Sequence, residues 1–394
     1  MSVVEVMRIA IDIRKVHEFG VGTHIWNLVR SLSAVDTDNH YFLLGSRRHF
    51  IELGPLGQNF ESVSFPEENT WSNLHLKIPL WLRSRKIDLF HVPHYQAPLF
   101  VPCRLVVTMH DCVHLLFPRA DSSKFSNYRR YLYTRRVVRS ANHVIAVSGS
   151  TRKDLGSIFG MEAGKVSVVH NALDERFAAS RDTDEQRQVL ERYQLKDPFI
   201  LYSGQIKPHK NIHRLIEAFA VLKSELGENK TYKNLKLIII GDKLSRHQYL
   251  RLTVVRSGVQ QDVRFFGFVP YPILQVFYQA AAIFASPSLY EGFGLSPLEA
   301  MANRTPVVAS NTSSLPEVLE DAAILVNPEN VFEIARGMKQ LLIDQVLRQA
   351  MIEKGLIQVR KFSWKTAAKS VVSTYRAVVD SENHSVVMGV LAKS

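Results

Sequence analysis

The stretch Ala282-Ile283-Phe284-Ala285-Ser286-Pro287-Ser288-Leu289-Tyr290-Glu291-Gly292-Phe293-Gly294-Leu295-Ser296-Pro297-Leu298-Glu299-Ala300-Met301-Ala302 decides the fold. Its opening apolar run has the length and composition of a buried strand. A glycine-rich loop carrying Glu291 follows, and then a helix expected to start at Ser296-Pro297. Glu299 lies eight residues beyond Glu291. Loop N–H groups, the positive end of a helix and two acceptor-only side chains are thereby gathered within about two turns. That combination suits a ligand with both a phosphate and several hydroxyls. A second reading of Glu299 stands beside this one. Ser296, Pro297 and Glu299 also fit the N-cap, N1 and N3 positions of a capping box, in which Glu299 would only close the helix start.

Working outward, buried-strand segments recur with helical stretches between them, the pattern of parallel sheets built from βαβ units. In the first half the strands are expected at 8–13, 41–44, 89–92, 105–109, 143–147 and 166–169. In the second they are expected at 199–203, 235–240, 263–266, 282–285, 306–309 and 323–326. The polar stretch between Ala178 and Lys196 reads as a linker, partly helical. The fold class is therefore α/β, with two Rossmann-like doubly wound domains and ligands at the carboxyl ends of the strands. The expected limits are residues 1–178 for the first domain, 179–197 for the linker and 198–362 for the second domain. Residues 1–6 read as a loose extension.

The length of 394 residues suits two domains, and 46% hydrophobic with 22% charged residues is the composition of a globular enzyme. No apolar run approaches the ~20 residues that span a bilayer, and a secretory signal pattern is lacking, so the expected location is the cytoplasm. Cys103 and Cys112 have neither disulfide-framework nor metal-site spacing and are expected to be reduced. The net charge of +12 calls for an acidic partner. Between Ser122 and Lys153 there are eight basic residues and no acid: Lys124, Arg129, Arg130, Arg135, Arg136, Arg139, Arg152 and Lys153. Aromatic and aliphatic side chains interleave with them. The segment reads either as a peripheral contact with an anionic membrane or as a solvated helix face, and no nucleic acid is expected.

Three more constellations bear on chemistry. Ser203-Gly204-Gln205-Ile206-Lys207-Pro208-His209-Lys210-Asn211 joins a strand to a helix whose apolar face is Ile212, Leu215, Ile216, Phe219 and Leu222. Asn211 reads as its N-cap, and the Lys210 ammonium beside a positive helix end is unfavourable unless an anion lies between them. His110 and Asp111 follow a strand end and are expected to project into a cleft between the domains. Gly20-Val21-Gly22-Thr23 is a short fragment of a phosphate-type glycine loop.

The run E-G-F-G-L-x-x-L-E-A-M-A from Glu291 to Ala302, followed by Thr305-Pro306-Val307-Val308, resembles the signature of glycosyltransferase family 4, retaining nucleotide-sugar enzymes of GT-B architecture. The resemblance extends from about Arg8 to Tyr375. It implies that Glu291 lies against the donor sugar, that the amides of Gly292, Phe293, Gly294 and Leu295 meet sugar and phosphate, and that Glu299 holds the nucleotide ribose. The Gly204…Pro208-His209-Lys210-Asn211 stretch resembles the family segment whose lysine clamps the donor diphosphate. Gln205 and His209 stand where many relatives carry arginine, so Lys207 or His209 is left to supply the second cation. His110 resembles the histidine near the donor's reacting carbon, and Gly22 belongs to the loop over donor phosphate and acceptor. Phe265-Phe266-Gly267-Phe268-Val269 resembles the turn that meets the nucleobase, which points to Phe268 and Val269. A closing helix over residues 363–380, carrying Trp364, Ala367, Ala368, Val371 and Tyr375, is implied to return to the first domain, with 381–394 as a tail.

The activity this resemblance implies is that of a hexosyltransferase moving a sugar from a nucleoside diphosphate to a hydroxyl of a glycan or lipid-linked glycan. GDP-mannose is the first expectation for the donor and a UDP-sugar the second. No Asp-x-Asp stands where a metal clamp would be needed, so no cofactor and metal-independent chemistry are expected. The alternatives are another GT-B enzyme, of the sucrose- or trehalose-synthase or epimerase type, or a non-catalytic nucleotide-sugar binding subunit. Asn303-Arg304 departs from the glycine-containing pair common before Thr-Pro-Val-Val.

Overall fold

The computed structural model describes residues 6–18, 20–68, 70–118, 123–174, 183–241 and 247–391. The loose extension expected at the N-terminus thus lies, but for Val6, outside the described residues. The chain divides into two compact units, one of residues 1–172 with 363–394 and the other of residues 173–362.

The first unit is built on seven strands, β1 (Arg8–Asp12), β2 (His40–Gly45), β3 (Phe60–Ser64), β4 (Leu89–Val92), β5 (Arg104–Met109), β6 (His143–Ala146) and β7 (Val166–Val168). They pair in the order β3-β2-β1-β4-β5-β6-β7, all parallel. The second unit carries β8 (Phe199–Ser203), β9 (Lys236–Ile240), β10 (Val263–Phe266), β11 (Ile283–Ser286), β12 (Val307–Ser310) and β13 (Ile324–Val326). Their order is β10-β9-β8-β11-β12-β13, again all parallel. Helical connections pack back on each sheet, so central strands such as β8 and β11 are buried along their whole length and read as unbroken apolar runs. In each sheet the order reverses between two neighbours, β1 and β4 in the first and β8 and β11 in the second. Loops diverge there and leave a crevice at the strand ends.

β3 is absent from the strands expected from sequence. Phe-Glu-Ser-Val-Ser has only β2 beside it and is half exposed, so it needs no apolar run. The stretch read as a linker contains a helix, Thr183–Arg192, that belongs to the second unit and packs on the helix Tyr271–Ala280. Gln186 Nε2 donates to Gln279 Oε1 at 2.7 Å, and the Tyr193 ring meets Phe266 and Phe277 edge-on.

The closing helix, Trp364–Leu391, continues through most of the stretch read as a tail. It joins the first unit and lies on the helix Val21–Val35. Ala368, Val371 and Tyr375 are buried, and the Tyr375 hydroxyl and His91 Nδ1 are 2.6 Å apart. Burial of each larger apolar side chain is worth about 1.5–3 kcal/mol, which holds this distant segment of chain in place.

Arg304 sits where the backbone favours glycine, and nothing in the structure explains the arginine. It follows the C-cap of the helix Leu295–Ala302 with φ 62°, the left-handed region in which glycine is the least strained residue. Its N–H still reaches the Met301 carbonyl at 3.0 Å. Cys103 and Cys112 are free thiols.

Candidate active site

Sequence motifs from three loops converge at the carboxyl ends of β8 and β11. After β8 the chain makes a short 3-10 turn, Pro208–Lys210, and enters the helix Ile212–Glu225 through Asn211 at φ 58°. Asn211 stands at the N-cap position, but its side chain does not cap the helix as expected. Fully buried, its Nδ2 donates to the carbonyls of Pro287 at 2.9 Å and Pro328 at 2.7 Å. It ties the lysine turn to the loop after β11 and to the segment after β13, and the Leu289 N–H adds a bond to the His209 carbonyl at 2.7 Å.

The anion that Lys210 requires is Glu291. Lys210 Nζ lies 2.6 Å from both carboxylate oxygens, with the two side chains only 18% and 14% exposed. Ser288 Oγ donates to Glu291 Oε1 at 2.7 Å. The Glu291 backbone is clamped as well, its carbonyl accepting from Ser313 and Ser314 and its N–H meeting Ser313 Oγ at 3.2 Å. A carboxylate with this many fixed donors is held in place before any ligand arrives. The cluster of ammonium, carboxylate and hydroxyl is poised to exchange partners with a polar, anionic ligand.

The capping-box reading of Glu299 is not what the chain adopts. Gly294, at φ 98°, turns the backbone by itself, so the helix already begins at Leu295 and runs to Ala302. A side chain at Gly294 would have its Cβ 2.6 Å from Leu315 Cδ2, so both conformation and space demand glycine. Pro297 then falls in the first turn, where its missing N–H costs no helical bond. Glu299 projects from the second turn toward the helix Tyr271–Ala280, where the Tyr278 hydroxyl donates to its Oε2 at 2.8 Å. Burial pushes the Glu299 carboxyl up to about 7, opposed by the hydrogen bonds of Tyr278 and Tyr271, while the charge of Asp174 pushes in the same direction as burial. A carboxyl poised near neutrality by burial, beside a glycine loop, is characteristic of functional sites.

The remaining candidates of this unit surround that centre. Gly204 and Lys207 lie on the loop after β8, with Lys207 exposed. Gly292 adjoins Glu291, and Leu295 opens the helix. The Phe293 ring is buried edge-on against Phe362, so only its backbone faces a ligand role. After β10, Phe268 is 77% exposed and Val269 is buried. Tyr278, Ser288 and the Ser313-Ser314 pair are site residues that the sequence does not signal. Tyr278 sits on a helix whose spacing reads as core, and the serines carry no spacing pattern.

The first unit has its own polar cluster at the ends of β1, β4 and β5. Gly22 lies inside the first turn of the helix Val21–Val35, not in an open loop. A Cβ there would come within 2.1 Å of the Val16 carbonyl oxygen, because the preceding loop folds tightly over the helix start. The same helix brings the His24 ring edge-on to His110, with centroids 4.7 Å apart. His110 Nε2 is 3.0 Å from the Pro93 carbonyl, so the proton sits on that nitrogen. Burial lowers the His110 pKa, against the pull of the Pro93 carbonyl and Asp111, and keeps the ring neutral with Nδ1 as its lone-pair nitrogen. Beneath them, Asp12 and Arg14 form a buried bidentate pair at 2.9 and 2.7 Å.

Comparison with known proteins agrees with this arrangement. Residues 182–357 match the family model described as Glycosyl transferases group 1, and residues 20–177 match the one described as Glycosyltransferase Family 4. The O-antigen chain mannosyltransferase B of Escherichia coli is 30% identical over 350 residues, 88% of this chain and 86% of that protein. The chain belongs to glycosyltransferase family 4. The serotype-specific mannosyltransferase WbdA of Escherichia coli is 30% identical over 71% of this chain, which spans only 34% of that longer protein. Among solved structures, the sucrose-phosphate synthase of Thermosynechococcus elongatus superposes with a TM-score of 0.74 at 18% identity, covering 95% of this chain and 100% of that one. The fold of this family 4 glycosyltransferase is thus GT-B, and its activity is hexosyl transfer from a nucleotide sugar.

Proposed function

We propose that the enzyme transfers mannose, with retention of configuration, from GDP-mannose to a hydroxyl of a glycan or lipid-linked glycan. The observation that carries this reading is the Lys210–Glu291 pair, held by Ser288 at the ends of β8 and β11. In the reaction the bond between the sugar's anomeric carbon and the diphosphate oxygen breaks, and the acceptor oxygen bonds to that carbon on the same face. The acceptor's proton passes to an oxygen of the departing diphosphate. Lys210 and the N–H groups at the start of the helix Leu295–Ala302 meet the charge that develops there. Glu291 is then free to orient the sugar hydroxyls, Glu299 the ribose, and Gly204 and Lys207 the diphosphate. Phe268 and Val269 meet the base, and His110 of the first unit meets the sugar. Fixed cations and helix dipoles do this work without a metal. The mannosyltransferase relatives support mannose, and a UDP-sugar is the second reading.

Lys210→Ala tests the assignment. Loss of a fixed cation on the leaving group should lower kcat by roughly 100-fold or more, with the circular dichroism of the parent. Parent-like steady-state kinetics would remove Lys210 from the mechanism, and a product of inverted anomeric configuration by NMR would end the retaining reading.

The basic segment supports peripheral contact with an anionic membrane on the cytoplasmic side. Six of its eight basic residues lie on the helix Lys124–Ser140, on which Phe125 is 70% and Tyr128 58% exposed beside Lys124 and Arg136, whereas Arg152 and Lys153 lie beyond β6 on the helix Gly149–Phe159. Arg139 does not belong to that surface, because its guanidinium donates twice to the Phe159 carbonyl.

A further inference from the structure

A cavity of about 370 Å³ opens in the first unit between the loop after β4 and the first half of the helix Lys124–Ser140. Its walls include Tyr95, Gln96, Phe125, Arg129, Arg130 and Tyr133. The place is significant because Tyr95 and Gln96 lie on the loop after β4, at the β1–β4 reversal where a doubly wound sheet binds its ligand. The size is that of a pocket for a small polar ligand.

The walls are fixed. The Tyr133 hydroxyl donates to the Ala97 carbonyl at 2.7 Å, and the Tyr95 ring stacks on His114 with centroids 4.5 Å apart and planes 13° apart. The Gln96 N–H donates to His94 Nδ1 at 3.1 Å. The guanidiniums of Arg129 and Arg130, by contrast, have no ion pair among the described residues, although Arg14, one layer deeper, has Asp12. Arg129 lies 5.8 Å from the Phe125 ring centroid. The acids whose charge reaches Tyr95 are Asp111 and Glu18; among the described residues a cation pairs only with Glu18, and the Asp111 carboxylate keeps its charge near the pocket. Asp111 Oδ1 accepts from the Val113 N–H at 2.9 Å, and Glu18 pairs with Lys15 at 2.7 Å. Two guanidiniums in a fixed aromatic frame match the oxygens of a phosphate, while the flat rings match the apolar face of a sugar.

We propose that this pocket binds a phosphate or diphosphate group carried by the acceptor, with Arg129 and Arg130 on its oxygens and Tyr95 and Tyr133 against the adjoining saccharide. The acceptor is then a glycosyl phosphate or a glycan joined through phosphate to its carrier, not a neutral glycan. The inference rests on the glycosyltransferase reading, and none of the residues assigned to the donor lies in this pocket.

The test uses the full chain saturated with GDP, so that the donor phosphate positions are occupied, and mannose 1-phosphate as the probe against methyl mannoside. Calorimetric titration should show binding of mannose 1-phosphate at millimolar concentration or below, and methyl mannoside at least roughly 10-fold weaker. The double variant Arg129→Gln/Arg130→Gln should lose roughly 10-fold or more of the mannose 1-phosphate affinity while melting like the parent. Arg135→Gln/Arg136→Gln, on the same helix outside the pocket, should retain it. Equal affinities for the two probes, no binding of mannose 1-phosphate by the parent, or indifference to the double variant overturns the proposal. If Arg129→Gln/Arg130→Gln instead loses only cosedimentation with phosphatidylglycerol vesicles, the arginines serve a lipid surface and the pocket assignment falls. GDP binding to the parent reports the donor reading separately: its failure removes GDP-mannose as the donor, whereas its success beside a failed probe removes only the pocket.

Discussion

Glu299 is under two opposed demands, and the balance between them sets what can be measured. Burial raises its pKa to about 7, while the Tyr278 hydroxyl favours the ionised form that would hold a ribose most strongly. Since the folded-state value lies above the ordinary 4.5, the folded chain binds this proton more tightly than the unfolded chain. The contribution to stability therefore falls as pH rises from about 4.5 to about 7 and is level above that. Glu299→Gln keeps an oxygen for Tyr278 and removes the charge. Melting curves of the variant should match or exceed the parent at pH values above about 7, with the gap closing toward pH 4.5. Donor binding, titrated above neutrality, should weaken by roughly 1.5–3 kcal/mol. Tyr278→Phe removes a bond to the carboxylate and should move the midpoint of the pH dependence of donor affinity upward. Donor affinity like the parent's in Glu299→Gln at high pH would exclude the ribose contact.

The helix Lys124–Ser140 combines basic residues with exposed Phe125, Tyr128 and Leu132. Binding to anionic vesicles is expected to weaken with added salt, and by about 1 kcal/mol for each of Arg135 and Arg136 changed to Gln, as cosedimentation would measure. Equal binding to neutral and anionic vesicles would argue instead for a solvated face. The pairing of this helix with the loop after β4 is invisible in the sequence, because nothing in the spacing of Arg129 and Tyr95 brings them together; only the β4–β5 order does. Central strands are legible for the opposite reason. Burial on both faces forces an unbroken apolar run on β8 or β11, whereas the one-sided edge strand β3 is under no such demand. The helix expected to begin at Ser296-Pro297 starts earlier, at Leu295, since a left-handed Gly294 can begin a helix without the Ser-Pro signal. The motif residues Lys210 and Glu291 are legible as a clamp, but their mutual pairing requires two loops 81 positions apart to meet.

At the scale of the molecule, the donor residues between Gly204 and Glu299 all belong to the second unit, whereas the phosphate pocket and His110 belong to the first. A ligand stabilises the native state with the logarithm of its excess over the dissociation constant, by about 2.7 kcal/mol at 100-fold excess. For a domain of roughly 200 residues that is a rise of about 5–10 °C in Tm. GDP at such an excess should therefore raise the melting temperature of the parent by that order, and UDP should do so less if guanine is the recognised base. Lys210→Ala should lose most of the shift. Hydrogen exchange locates the effect: with GDP, the amides of residues 203–211 and 287–299 should slow, while residues 94–97 and 124–133 should not. Mannose 1-phosphate added to the GDP complex should slow the second pair of segments. Protection by GDP confined to the first unit would reverse the assignment of donor and acceptor sides, because the ligand would then be seated away from the Lys210–Glu291 clamp. An equal shift with GDP, UDP and ADP would leave the diphosphate clamp intact and show that Phe268 and Val269 do not select the base.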